Sequence, residues 1–393
     1  MNKTFDIVTP GTIRIGAGSL KSLPEEINKF QSENILLISD KGIESTGLIN
    51  EIKDMLESSG YMVSVFTDIQ GEPTFSLLIN TVKEYERLNI DLVIGVGGGS
   101  ALDVAKAVSA LLGKDDISSY IDGDEIIPVR TVKTILLPTT SGTGAEVTMN
   151  AIFGDEKKGV KRGLVSSALK PDVAIIDPEL TLTCPSRVTA SSGIDALTHA
   201  LESLIAVKSN IVTKMYSEKA VEMFPKYIYG AVHNGSDITA RTGMSILSNL
   251  AGVSLGNAGV GAIHALAYPL GGKYHIEHGV ANALLMPYVI KVIGKTCITE
   301  MVQVSKLLQL GDYSNNPYES LNRVVQYFEK LLIDLDLPTS LKELGVDKNS
   351  IPELAEQASK VERLLSNTPF ELSMEKIEEI YEDAYYGNSR RAS

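Results

Sequence analysis

The chain is poor in cysteine, in positive charge and in apolar leader sequence, and each shortage removes a class of function. Among 393 residues only Cys184 and Cys297 carry thiols. Two thiols build neither a disulfide framework nor a thiolate metal cluster, so a reducing cytoplasm is the expected home. Lysine and arginine number 36 against 49 aspartates and glutamates, a formal net charge of -13. That balance disfavours nucleic acid and anionic membrane surfaces as partners. The first residues, Met1-Asn2-Lys3-Thr4-Phe5-Asp6, show no apolar run of the secretory type.

Charge is also missing from one internal stretch. Residues 242–272, 31 in all, contain no Lys, Arg, Asp or Glu, which by length alone would cross a membrane. The same stretch holds Asn249, Asn257, His264, Pro269 and seven glycines. Lipid offers those polar groups no partners, so buried helices of a soluble core are expected.

What remains is ordinary globular sequence, 44 % hydrophobic and 22 % charged, long enough for about two to three domains. In the first half, short apolar runs at 35–39 (ILLIS), 91–96 (DLVIGV), 134–137 (TILL) and 173–176 (VAII) alternate with helix-like stretches at 47–59, 75–88 and 101–112. Continuous apolar strands separated by helices imply a parallel sheet covered on both faces. From about residue 186 strand signals nearly vanish, and helical patterns run over 193–206, 211–230, 237–256, 299–311, 317–333 and 374–385. The expectation is an α/β domain over 1–185 and an all-α domain over 186–393.

Two loops follow strands in the first half. Gly97-Gly98-Gly99-Ser100 leads into Ala101-Leu102-Asp103-Val104-Ala105-Lys106, a strand, a glycine turn and a helix start. Glycines let backbone approach an anion, and the helix start attracts phosphate; a tight turn without a ligand has the same spacing. The second loop is Pro138-Thr139-Thr140-Ser141-Gly142-Thr143-Gly144-Ala145-Glu146. Its hydroxyls, at the carboxyl end of a strand, suit a sugar, a phosphate or a nicotinamide amide. Glu146 reads as a first-turn helix carboxylate. Asp40, at the end of the 35–39 strand, fits either a ribose diol, favouring NAD over NADP, or a plain cap.

The five histidines are His199, His233, His264, His275 and His278. Asp195 and His199 are four apart, which on a helix turns both to one side. His264 and His278 sit in apolar, glycine-flanked stretches. An imidazole in such a place is either a satisfied core residue or a ligand. Three imidazoles and a carboxylate suit a divalent first-row metal, Fe(II) or Zn(II).

Together these segments resemble the iron-containing (group III) alcohol dehydrogenase family over essentially the whole chain. The likeness rests on Gly97-Gly98-Gly99-Ser100 with Asp103 and Lys106, the 138–146 loop, and Asp177-Pro178-Glu179-Leu180-Thr181. It continues through Gly193-Ile194-Asp195-Ala196-Leu197-Thr198-His199-Ala200, the 264–272 segment and His278-Gly279-Val280-Ala281-Asn282-Ala283. The resemblance implies an NAD-binding α/β domain and a helical metal-binding domain, the architecture shared with dehydroquinate synthase, with the active site in the cleft between them. It maps metal ligands onto Asp195, His199, His264 and His278, for Fe(2+) or Zn(2+). It maps the NAD(H) site onto Asp40, Gly97, Gly98, Gly99, Ser100, Asp103, Thr139, Thr140 and Thr143, with Asn150, Lys161 and Leu180 at the nicotinamide end and Leu255 in the substrate pocket.

Two positions depart from the family pattern. Tyr268 stands where many members carry a second histidine, and Glu72 precedes Pro73-Thr74 where Asn is usual. Tyr268, His275 and Lys161 are then the catalytic candidates, with Tyr268 or His275 on the proton route. The implied reaction is hydride transfer between nicotinamide and a small alcohol or aldehyde, in a cytoplasmic homo-oligomer. Hydroxy acids and substituted acetaldehydes are related substrates; Lys273 and His275 are either side chains that would meet an anionic one or plain exposed surface positions. A metal- and NAD-dependent lyase or cyclase of the dehydroquinate-synthase type shares the architecture. It needs clustered Lys and Arg for a phosphorylated, acidic sugar, and the 242–287 region offers only Lys273.

Overall fold

The computed structural model describes residues 4–156 and 159–387. These fall into two compact units, one over Val8–Cys184 and one from Pro185 onward that also takes in residues 4–7.

The first unit is built on six parallel strands: β1 (Thr12–Ile15), β2 (Asn34–Asp40), β3 (Met62–Ile69), β4 (Leu92–Gly97), β5 (Lys133–Pro138) and, after a hairpin, β8 (Val173–Ile176). Their spatial order is β1-β8-β5-β4-β2-β3. Every residue of β4 is buried, as are the inner residues of β2 and all but the first of β5. Strands covered on both faces can carry apolar side chains on both, which is why they read as unbroken runs. Helices α1 (Leu23–Phe30), α2 (Lys41–Ser45), α3 (Leu48–Ser58), α4 (Phe75–Tyr85), α5 (Gly99–Leu111) and α6 (Ile117–Asp122) complete the unit.

From β2 the chain moves outward to β3 on one side, and from β4 it moves to β5 on the other. The strand order therefore reverses between β2 and β4, and at such a point the loops beyond the carboxyl ends diverge and leave a crevice. Asp40 ends β2, Gly97 ends β4 and Pro138 ends β5, so both polar loops and Asp40 lie at this edge.

The hairpin of β6 (Asn150–Asp155) and β7 (Val160–Val165) forms a separate two-stranded sheet. A buried ion pair anchors it. Asp103 on α5 meets Lys106 Nζ through Oδ1 at 2.8 Å and accepts the Ile152 N–H on Oδ2 at 2.8 Å. Lys106, fully buried, also donates to Thr148 Oγ1 at 3.1 Å and to the Asn150 carbonyl. Burial raises the Asp103 pKa even though Lys106 and the Ile152 N–H oppose that rise.

The second unit is helical: α7 (Ser186–Ile205), α8 (Ile211–His233), α9 (Ile238–Ala258), α10 (Ala262–Tyr274), α11 (His278–Ile293), α12 (Ile298–Leu307), α13 (Pro317–Asp334), α14 (Ile351–Ser359), α15 (Glu362–Leu365) and α16 (Met374–Tyr386). The charge-free stretch lies in α9 and α10, which bend by 99° at the break between them and bury much of their length in this unit's core. Among the described residues no single helix is long and apolar enough to cross a membrane.

Removing one member of a buried pair leaves the other charge uncompensated. Asp103→Ala is expected to destabilise the first unit by about 3–5 kcal/mol. Urea unfolding of the full chain, followed by circular dichroism, measures the loss.

Candidate metal and nucleotide sites

The metal candidates are carried by three helices. Asp195 and His199 lie one turn apart on α7, where every residue from Gly193 to Ile205 is buried. His264 is in the first turn of α10 and His278 is the first residue of α11. The start of α11 lies close against α7 because residue 279 is glycine: a Cβ there would stand 2.6 Å from the Ser191 carbonyl oxygen. Any side chain would push α11, and His278 with it, away from Asp195.

The four side chains converge, each offering one ligand atom within 4.8 Å of the others. Asp195 Oδ1 is 3.7 Å from His199 Nε2 and 3.9 Å from the Nε2 atoms of both His264 and His278. The His199 and His264 rings stack at 4.8 Å, and the His264 and His278 rings are 5.1 Å apart. Asp195, His199 and His264 are buried and His278 is partly open, so the cluster has one accessible side. Burial pushes the Asp195 carboxyl up, but the imidazoles of His199, His278 and His264 and the Asn282 amide together hold it below its usual value.

Two residues that sequence reasoning did not single out complete the cluster. Glu202, two turns from Asp195 on α7, accepts the Ile263 N–H at 2.6 Å and faces His264 Nδ1 at 2.5 Å. A carboxylate acceptor opposite Nδ1 favours the tautomer with the proton on Nδ1, which leaves the Nε2 lone pair toward the cluster. Asn282, fully buried on α11, donates from Nδ2 to Asp195 Oδ1 at 2.8 Å and lies 3.1 Å from the Nε2 atoms of His264 and His278. Its Oδ1 is buried with no hydrogen-bond partner among the described residues. Helical spacing was the available signal: Glu202 follows His199 by three residues and Asn282 follows His278 by four. An inward-facing carboxylate and three imidazole nitrogens together fit a divalent cation.

Tyr268 lies one turn after His264, with its ring 6.1 Å from that of His278. His275 is the exposed C-cap of α10, with a left-handed φ of 54°. Lys273 is exposed and ion-paired with Glu353. Leu255 is half-buried on α9.

In the first unit, Asp40 caps α2 by accepting the Ile43 N–H on Oδ1 at 2.9 Å. Its Oδ2 points toward Gly97, whose φ of 148° suits glycine and whose missing Cβ would lie 3.0 Å from that oxygen. Gly98 is the N-cap of α5 and supplies no side-chain cap, so no side chain caps the first N–H groups of the helix, at the carboxyl edge of the sheet. Thr140 and Thr143 approach Gly98 and Gly99 from the neighbouring loop. Thr139 is 2 % exposed, and its Oγ1 has no hydrogen-bond partner among the described residues. A buried unsatisfied hydroxyl beside an uncapped helix start fits a bound polar ligand.

Asp103 has both oxygens committed to Lys106 and Ile152, and so acts on the crevice through the hairpin. Asn150 opens β6, and Lys161 on β7 pairs with Glu72 at 2.7 Å. The Glu72-Pro73-Thr74 segment is also tied to the hairpin by the Gly154 N–H to the Pro73 carbonyl at 2.9 Å. Glu72, the departure from the family pattern, therefore neutralises Lys161. Leu180 is buried in the 3-10 turn Pro178–Thr181, whose cap Asp177 receives the N–H groups of Gly18 and Leu20.

Comparison with known proteins agrees with this geometry. Residues 10–178 match the family described as iron-containing alcohol dehydrogenase, and residues 189–385 match the C-terminal part of the Fe-containing alcohol dehydrogenase family. The chain belongs to the iron-containing alcohol dehydrogenase family of oxidoreductases. It is 37 % identical over 384 residues to a long-chain-alcohol dehydrogenase of Geobacillus thermodenitrificans, with 97 % of each chain covered. A sulfoacetaldehyde reductase of Bilophila wadsworthia is 32 % identical over 365 residues, covering 92 % of this chain and 94 % of its own. The solved alcohol dehydrogenase from Oenococcus oeni superposes with a TM-score of 0.92 at 27 % identity, covering 97 % of this chain and 100 % of its own.

Gly279→Ala is expected to force α11 off α7. The overpacking should cost about 1–3 kcal/mol and weaken divalent-metal binding. A thermal melt and a metal titration on the same sample test both effects.

Proposed function

We propose that the chain is an NAD(H)-linked, metal-dependent alcohol dehydrogenase and aldehyde reductase, and that the ligand set Asp195, His199, His264 and His278 carries this reading. The metal-binding domain is residues 186–393 and the NAD-binding domain residues 1–185. Fe(2+) is the expected ion, with Zn(2+) the alternative, because both accept three imidazoles and a carboxylate. A cation in that set supplies Lewis-acid polarisation of an alcohol or carbonyl oxygen, and the nicotinamide supplies the hydride acceptor or donor.

The protein's own groups bind and orient. The glycine turn at 97–99, the uncapped start of α5 and the Thr139, Thr140 and Thr143 side chains hold the dinucleotide phosphates and sugar. Asp40 Oδ2 receives the ribose hydroxyls and repels a 2′-phosphate. Asn150 and Lys161 stand at the nicotinamide end on the hairpin that Asp103 and Lys106 secure, with Leu180 as an apolar wall. Tyr268, close to His278, is the side chain best placed to relay the alcohol proton through its phenol; His275, exposed at the end of α10, is the second choice.

The substrate class follows from charge. Lys273 is paired with Glu353 and Lys161 with Glu72, so neither offers an uncompensated cation to an anionic aldehyde. That supports an uncharged small alcohol or aldehyde over a sulfonated or carboxylated one. Exposed Val207, Ile211 and Met215 support a homo-oligomer, and a cytoplasmic location is part of the same reading.

Metal-loaded protein is expected to oxidise primary alcohols with NAD+ in preference to NADP+, read as nicotinamide absorbance. His264→Ala should lose the metal and lower kcat/KM by roughly 100-fold or more. Survival of both metal content and activity in that variant would overturn the assignment. Asp40→Gly should narrow the preference for NAD+ by about tenfold, roughly 1.4 kcal/mol of discrimination, in kcat/KM measured with each cofactor.

A further inference from the structure

We propose that Glu202 is a positioning residue of the metal centre: it locks His264 in the Nδ1-protonated tautomer, so that Nε2 is held ready as a ligand. The inference rests on reading Asp195, His199, His264 and His278 as a metal site. Glu202 lies on the same face of α7 as Asp195 and His199, seven residues after the first and three after the second. It is 2 % exposed, and no lysine or arginine pairs with it among the described residues. Burying a carboxylate is costly unless both oxygens accept hydrogen bonds, and here both are directed at α10. Oε1 takes the Ile263 N–H and Oε2 faces His264 Nδ1.

Helix α10 has Gly261 as its N-cap and so no side-chain cap of its own. Glu202 thus caps α10 from a neighbouring helix, and its charge suits the positive end of the helix dipole. One side chain both seats the first turn of α10 and orients the imidazole in that turn.

The need for a carboxylate, and not merely for a side chain of its shape, follows from counting donors. Ile263 N–H and His264 Nδ1–H are two donors facing one group. A glutamine would match only one of them. With its carbonyl on Ile263, its NH2 would face Nδ1 and favour the Nε2-protonated ring, which presents no lone pair to the metal. With its carbonyl on Nδ1, its NH2 would oppose the Ile263 N–H and loosen the start of α10. A carboxylate opposite the imidazole also raises the basicity of Nε2 as a ligand.

The test uses the full chain with Co(2+) or Zn(2+) in competition with a chelator, and long-range 1H–15N NMR of the imidazole nitrogens in metal-depleted protein. In the wild type His264 is expected to hold its proton on Nδ1. Glu202→Gln should lower metal affinity by about 10–100-fold and shift His264 toward the Nε2–H form. Glu202→Asp, shorter but still a double acceptor, should keep the tautomer and bind metal more tightly than the glutamine variant. A role in packing alone predicts the reverse order, because glutamine matches glutamate in shape and aspartate does not. The proposal is overturned if Glu202→Gln binds metal like the wild type, if it binds more tightly than Glu202→Asp, or if wild-type His264 carries its proton on Nε2. Failure of the wild type to bind either ion would instead remove the metal reading itself, and this proposal with it.

Discussion

The two buried carboxylates on α7 set the terms for the second unit. Asp195 and Glu202 are each 2 % exposed, and a carboxylate taken from water needs charge-compatible partners at hydrogen-bonding distance. The partners come from elsewhere in the chain: Asn282 and His278 from α11, Ile263 and His264 from α10. The positions of these acids on α7 therefore fix where the other two helices begin. Each of those helices carries an imidazole in its first turn, so helix packing and the placement of the imidazoles are settled by the same contacts. The absence of a Cβ at Gly279 allows the approach, and the buried acids make it favourable.

The first unit solves its own problem with one ion pair. A parallel sheet leaves its carboxyl edge lined by loops, and loops need anchoring if they are to hold a ligand in a fixed place. Asp103 and Lys106, on the buried face of α5, reach Thr148, Asn150 and Ile152. The helix that begins at the glycine turn thus also holds the hairpin bearing Asn150 and Lys161. The glycine turn and the hairpin thus share a single support. Asp103 contributes to that support by ordering its neighbours, since both of its oxygens are already engaged.

Legibility in the sequence followed burial. The four strands visible as apolar runs, at 35–39, 91–96, 134–137 and 173–176, are the four interior strands of the sheet, covered on both faces. The two that were not visible, β1 and β3, are its edges, where residues such as Arg14, Ser64, Thr67 and Asp68 interrupt the apolar pattern. The hairpin was hidden for a different reason: Gly154, Gly163, Lys161 and Arg162 give its strands no recognisable alternation. Of the metal cluster, Asp195 and His199 could be paired from spacing alone. His264 and His278 lie far from them along the chain; their apolar, glycine-flanked settings left core residue or ligand open, and the family resemblance assigned all four as ligands. Glu202 and Asn282 look like ordinary helix residues until the helices are packed. Their spacing from the histidines is informative only once those histidines are known to point inward.

The long stretch without charge gains a physical reason from this arrangement. Helices α9 and α10 resemble a membrane segment in composition, yet several of their polar groups are answered from within the unit. Ser254 meets Ser217 at 2.7 Å, Asn257 donates to the Val253 carbonyl at 2.8 Å and His264 meets Glu202. The negative charge of the cluster is concentrated on α7, and α10 brings the imidazole of His264. A lysine or arginine on the inner face of α10 would compete with a cation for Asp195 and Glu202, and a further acid there would have to be buried without a donor. An apolar, charge-free wall strengthens the electrostatic interactions of the few charges it encloses. The composition that suggests a membrane span is thus what two buried acids on one helix require of the helices packed against them.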